Sequence, residues 1–330
     1  MMRDSLWFVG ENSAEIRQSP IPIPNKNELL IETIASAISA GTEMLVYRGQ
    51  APAEMSADDT IEALAGTLQF PLKYGYASVG RVIGHGAAVD AEWLGRVVFA
   101  FNPHETHFVA TPESVLIVPE GISAEIATLL PNMETAVSLV MDGQPVIGER
   151  VLVIGQGIVG LLTTLLLNQF PLAQLNALDN YPLRQTKAQQ LGASTELDDK
   201  PFDLIYELTG NPHALNTAID HIAYNGRIVI GSWYGQKTAP IALGGAFHRS
   251  HAQLISSQVS TLNPRWRGRW DKTRRLELAW QSLKQHQPSA LITHQHPFQH
   301  APDAYTLLDK TPEQAIQVVL SYKKLRNEEY

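Results

Sequence analysis

The chain has 330 residues, no cysteine, and a formal net charge of −8 with a pI near 5.8. That length suits two domains with separate cores, and the acidity argues against a general nucleic-acid binder. Without cysteine there are no disulfides, no thiolate catalysis and no thiolate-bearing zinc site. The first ten residues hold an early acid and a very short apolar run, unlike a signal peptide. The one membrane-length apolar stretch, 151–170, is interrupted by three glycines. A cytoplasmic protein with no membrane partner is expected.

Up to about residue 120, short strand-like runs alternate with Pro and Gly punctuation. They include Glu28–Ile34, Ala77–Ile83 and Arg96–Phe101, and they predict a β-rich, barrel-like module. Residues 51–68 read as a polar, helical excursion within it. Ala124–Met141 carries a helical pattern. After Gly148 the rhythm becomes strand and helix in alternation. Strands are expected at Arg150–Ile154, Leu175–Asp179, Asp203–Leu208, Arg227–Ser232 and Gln253–Ser257, with helices at 158–169, 182–191 and 212–222. Such alternation predicts a doubly wound parallel sheet. The tail, 274–330, holds two amphipathic helices and an apolar run, Ala315–Leu320, expected to return to the first module. The domain reading is therefore 1–133 with 258–330, and 134–257.

The most specific chemistry-bearing motif is Gly155-Gln156-Gly157-Ile158-Val159-Gly160. An apolar strand runs into it and an apolar helix leaves it, the context a dinucleotide-binding turn requires. Gly155 permits the tight turn, Gly157 lets backbone approach a pyrophosphate, and Gly160 lets helix and sheet pack closely. Asp179, at the end of the second strand, suits the ribose 2′-hydroxyl of NAD and repels the 2′-phosphate of NADP. Arg184 nearby partly offsets that preference, so NADP stays open.

Several phrases resemble the medium-chain dehydrogenase/reductase superfamily over nearly the whole chain. They are Ile38-Ser39-Ala40-Gly41-Thr42-Glu43, Gly75–Gly80, the glycine turn, Glu207–Pro212 and Ile292-Thr293-His294. Others, such as 38–49, 73–82, 102–109, 231–235, 246–250 and 267–275, look like the cysteine-poor branch that includes bacteriochlorophyllide hydroxyethyl dehydrogenases. The resemblance implies a GroES-like barrel domain plus a Rossmann domain, with hydride transfer in a cleft between them. It also implies cofactor contacts at Thr209, Gly210 and Ser232, and at Trp233, which with Tyr234 follows the strand Arg227–Ser232 and would flank the nicotinamide or simply close the core. Where zinc-dependent members hold their metal, this chain has Ala40, Tyr76 and Pro131, and the glutamate that usually follows the ligand histidine is Ala77. A zinc-free site is expected. The tempting His104-Glu105-Thr106-His107 cluster reads as a solvated loop rather than a ligand set.

Without a Lewis acid, carbonyl reduction needs a proton donor at the developing alkoxide. Thr42 matches a hydroxyl relay position. Tyr76, in place of a ligand histidine, would act as general acid if nearby positive charge lowered its pKa, or would simply wall the vacated metal site. Glu43 would orient neighbours or form a structural ion pair, and His104 is a second acid or a surface histidine. Arg269 and Tyr47 are substrate-recognition candidates. Arg269 lies in the run Arg265–Arg275, where six of eleven residues are basic and two are tryptophan. That run reads as solvated charge at a helix start or as a carboxylate- or phosphate-recognition segment. The leading expectation is an NAD(H)-dependent alcohol/carbonyl oxidoreductase acting on a small molecule. The alternatives are an NADPH-dependent enoyl or quinone reductase, and a dinucleotide-binding sensor or scaffold without turnover. By analogy, the edge strand Gln253–Ser257 would support a homodimer.

Overall fold

The structure, a computed structural model, describes residues 1–58 and 61–322. The chain forms two compact units, Met1–Leu129 with His286–Tyr330, and Leu130–Gln285. Strands β1 (Met2–Gly10) and β2 (Ser13–Pro20) make an antiparallel pair. The ten-residue β3 (Leu29–Ile38) is followed by the short helix α1 (Thr42–Tyr47). Strands β4 (Ser78–His85), β5 (Val97–Ala100), β6 (His107–Ala110) and β7 (Val115–Ile117) come next, and then helix α2 (Ala124–Ala127). Residues 51–68 are not helical where described. They hold only a 3-10 turn, Glu62–Leu64, and a bridge between Ser56 and Thr67.

The second unit begins with α3 (Leu130–Gly143), so the helical pattern over 124–141 is two helices broken at 128–129. It continues with β8 (Arg150–Ile154), α4 (Ile158–Leu167), β9 (Gln174–Leu178), α5 (Pro182–Gln190), β10 (Phe202–Glu207), α6 (Ala214–His221), β11 (Ile222–Ile230) and β12 (Gln253–Ser256). The five strands are all parallel in the order β12-β11-β10-β8-β9. Helix α7 (Lys272–His286) closes this unit. The central strands read as near-continuous apolar runs because both faces are covered, and Leu152, Ile205 and Ile228 are wholly buried.

The chain then returns to the first unit through β13 (Ile292–Pro297), α8 (Ala301–Lys310) and β14 (Gln317–Ser321). There the order is β13-β14-β3-β4-β5-β7. One edge of β3 is shared by two partners, β6 along Leu29–Glu32 and β14 along Ala35–Ile38. Leu29, Ile31, Val82, Val98 and Phe108 form its core.

The unit boundary falls at 285/286 instead of 257/258, which corrects the reading from sequence. A buried ion pair explains why. Arg275 on α7 donates through Nε (3.1 Å) and Nη2 (2.8 Å) to Oε1 of Glu134 on α3, and Nη2 also reaches the Val259 carbonyl at 2.6 Å. Burial raises the Glu134 carboxyl above its usual range and Arg275 pulls it back down. Replacing Arg275 with Leu strands that carboxylate in the interior. Denaturant unfolding monitored on the second unit should show a loss of about 3 kcal/mol, with the Glu134→Gln/Arg275→Leu double change recovering part of it.

Candidate active site

In the second unit, the strand β8 delivers the chain into the glycine turn. Gly155 has φ +92°, and a Cβ there would lie 2.6 Å from the Leu208 backbone. A Cβ on Gly160 would fall 1.9 Å from the Gly155 carbonyl oxygen. Both positions therefore require glycine, for conformation and for close packing. Gly157 caps α4 with no side-chain hydrogen bond, and the space a side chain would fill there is open. The first N–H groups of α4, which include those of Ile158 and Val159, are thus available to an anion. The side chains of Gln156 and Ile158 are buried, so neither offers more than backbone to a ligand. Gln156 is spent internally, donating to the Val153 carbonyl and accepting from Thr164.

Two carboxylates fasten this edge of the sheet. Asp179 Oδ2 accepts the Gln156 N–H at 2.6 Å and Oδ1 accepts the Tyr181 N–H at 2.9 Å, while the Arg184 guanidinium stands 4.0 Å away. Glu207 is wholly buried at the end of β10 and accepts from the Thr209 amide, the Thr209 hydroxyl and the Tyr234 hydroxyl. Burial, and then the Glu207 charge, push the Tyr234 phenol above its usual value. Ser232 Oγ accepts the Gly210 N–H at 2.8 Å. Thr209, Gly210, Ser232 and the half-buried Trp233 therefore gather at the carboxyl ends of β10 and β11. Ligands of open α/β sheets bind outside those ends.

In the first unit, Tyr76 lies beside two other hydroxyls. Its OH donates to Ser39 Oγ at 2.6 Å, and Thr42 is a second hydrogen-bonding partner. Tyr76 and Thr42 are partly exposed. Burial pushes the Tyr76 phenol up to about 12, with Ser39 and Thr42 pulling it down. The charges acting on it are those of Glu43 and Asp58, which raise it further. The expected cationic lowering is thus replaced by the reverse.

Glu43 anchors this corner. From the first turn of α1 its Oε1 reaches back to the Ser39 N–H at 2.7 Å, while Oε2 takes His104 Nε2 at 3.0 Å and the Tyr305 hydroxyl. His104 Nδ1 meets Ser36 Oγ at 2.7 Å, and Ser36 in turn meets the Tyr322 hydroxyl. Gly75 passes so close that a Cβ would lie 2.5 Å from His104 Nε2.

His104 is accordingly neither a surface histidine nor part of a solvated loop. The segment 102–107 is threaded between β1 and β3 by backbone bonds from Leu6, Thr33 and Thr106. Glu105, also buried, is met by Ser5, Lys73 and Arg3. Tyr47 is likewise corrected. It is buried, donates to the Asn12 carbonyl at 2.8 Å, and packs its ring on Phe8 and Tyr305. A hydroxyl so occupied in the core cannot recognise a substrate. Arg269 is exposed, with its guanidinium over the Trp266 ring.

Sequence reasoning gave no role to Ser36, Ser39, Tyr305 or Glu207, although Ser39 and Glu207 lie within the phrases that carry the resemblance. Ser36 and Tyr305 carried no local signal, because their partners lie far away in sequence.

No family model matches the chain. L-threonine 3-dehydrogenase of Xanthomonas euvesicatoria is 24% identical over 65% of this chain and 72% of its own length. D-guloside 3-dehydrogenase of Escherichia coli is 24% identical over 90% and 93%. Among solved structures, 2R,3R-butanediol dehydrogenase from Bacillus subtilis superposes with a TM-score of 0.79 over 97% of this chain and 100% of its own, at 18% identity. An alcohol dehydrogenase from E. coli CFT073, solved with NADH, gives 0.77 over 97% and 99%, also at 18%. A dehydrogenase from Sinorhizobium meliloti, titled as zinc-binding and bound to NADP, gives 0.76 over 97% and 99% at 15%. The fold is theirs.

The Glu43 network makes a direct prediction. Glu43→Ala leaves His104 Nε2, the Tyr305 hydroxyl and the Ser39 amide without their acceptor in a buried place. Urea unfolding followed by far-UV circular dichroism should register a loss of about 3 kcal/mol.

Proposed function

We propose that the chain is an oxidoreductase of the medium-chain dehydrogenase/reductase type, and within it a zinc-independent, NAD(H)-dependent alcohol/carbonyl oxidoreductase whose proton donor is Tyr76; its likeness to the alcohol and polyol dehydrogenases supports the first part. The observation that carries this reading is the hydroxyl cluster of Tyr76, Ser39 and Thr42.

The donor set at this corner does not fit zinc, which takes three or four N, S or O ligands. Ala40 has no donor side chain, and the Tyr76 oxygen is a neutral phenol. Both ring nitrogens of His104 are engaged, by Ser36 and Glu43. In this reading the chain falls in the zinc-free branch that its cysteine-free sequence resembles.

The residues of the second unit do fit a dinucleotide. Gly157 and the uncapped start of α4 would hold the pyrophosphate, and Asp179 would meet the ribose hydroxyls. A nicotinamide supplies or accepts the hydride when bound. A fixed carboxylate at the end of β9 favours NAD over NADP, since it repels a 2′-phosphate.

The chain's own contribution is proton management. A phenol at about 12 keeps its proton throughout the neutral range, so Tyr76 stands loaded as the donor for carbonyl reduction, and in alcohol oxidation the same oxygen takes the proton back. An alkoxide is more basic than even this phenolate, so proton transfer to it remains downhill. Ser39 and Thr42 hold the phenol oxygen and solvate its charge once the proton has left. The names of the relatives suit a hydroxyl-bearing substrate, threonine or a guloside, or the ketone derived from it. The open edge strand β12, with Leu254 exposed, suits pairing with a second copy of this chain.

Tyr76→Phe should reduce turnover on a ketone by about a hundredfold, a typical general-acid effect, while NADH binding by fluorescence titration stays unchanged. With sign worked through, the rate of reduction should show no loss from Tyr76 ionisation until the pH nears the phenol's value of about 12. Full turnover in Tyr76→Phe, or tighter binding of NADPH than of NADH, would contradict this assignment.

A further inference from the structure

Arginines in this protein are mostly neutralised. Among the described residues eight of them sit in ion pairs: Arg3, Arg17, Arg48, Arg96, Arg150, Arg184, Arg227 and Arg275. Four that are in no ion pair, Arg265, Arg267, Arg269 and Arg274, fall within ten consecutive residues, and all four are exposed. A short segment that concentrates unpaired guanidinium groups on a chain of net charge −8 pays a local repulsion that a bound anion would relieve.

The segment is also a rigid platform. Arg269 lies over the Trp266 ring with 5.3 Å to its centroid, and Arg274 over Trp270 with 4.0 Å. Arg274 donates to the Arg269 carbonyl, which ties the two stacks together. Gly268, at φ +92°, turns the backbone so that the Trp270 N–H closes onto the Trp266 carbonyl at 3.0 Å. Asp142 then fixes the whole: Oδ1 accepts from Trp266 Nε1 at 3.3 Å and Oδ2 from Ser257 Oγ at 2.7 Å. Ser257 directly follows β12, so the platform stands at the carboxyl end of a parallel strand, the end where open α/β sheets take ligands. Below it the buried Arg275–Glu134 pair holds α7.

We propose that Arg269 and Arg274, backed by Arg265 and Arg267, form a binding site for the phosphate group of a small molecule. Guanidinium forks match a tetrahedral oxyanion, and pre-stacked arginines lose little freedom on binding. The same stacking argues against nucleic acid, because one face of each tryptophan that would receive a base is already taken by the chain's own arginine. A long polyanion would also be repelled by the acidic remainder of the surface.

The test is calorimetric titration of the full chain with inorganic pyrophosphate, for the wild type, Arg269→Ala/Arg274→Ala, and Arg249→Ala as an exposed-arginine control. Both substituted residues are exposed, and circular dichroism checks that the fold is retained. Pyrophosphate held at the glycine turn is common to all three proteins, so the difference reads the arginine platform alone. The expected result is affinity weakened by about tenfold or more in the double variant and unchanged in the control. Matching isotherms for wild type and double variant would overturn the proposal. So would tighter binding of citrate or of a single-stranded oligonucleotide than of pyrophosphate.

Discussion

A carboxylate taken wholly out of water must have its charge met by hydrogen bonds, and in this protein Glu43 is that carboxylate. It is met by the Ser39 amide in the chain just before it, by His104 from the loop leading to β6, and by Tyr305 from α8. Two stretches far away in sequence, around His104 and Tyr305, are thereby fixed to one short helix. Ser39, whose amide Glu43 holds, is also the residue that receives the Tyr76 hydroxyl. The Tyr76 phenol, the proton donor of the proposed function, is thus positioned through a chain of contacts that begins at a buried charge.

The second unit uses the same device. Asp179 and Glu207 each end a strand and spend their oxygens on backbone amides one turn away or across to the next connection. The connections at that end of the sheet are held ready by these bonds before any ligand arrives. Preorganisation of this kind spares a ligand the cost of ordering loops.

Much of this was legible in the sequence, and the reason is locality. The glycine turn, its apolar strand and Asp179 lie within thirty residues, and each strand of the parallel sheet declared itself as an apolar run. Strand ends came out within about two residues for four of the five; β11 starts earlier than its apolar core, at Ile222. His104 was misread because a loop of His, Glu, Thr and His looks solvated until Arg3, Lys73, Ser36 and Glu43 are seen to satisfy it. Tyr47 was misread because α1 is too short to show which face is buried. The domain boundary slipped because α7 is amphipathic like any surface helix, and nothing local announces that Arg275 pairs with Glu134, 141 residues away.

The account's central claim is that a phenol within a hydroxyl cluster has taken over the place and the work of a metal. Its most direct test is metal analysis of purified, NADH-binding protein, with ketone reduction assayed before and after exhaustive chelation. The account predicts no stoichiometric zinc and unchanged turnover. A tightly held zinc in every chain, with activity lost on its removal and restored on its return, would contradict it.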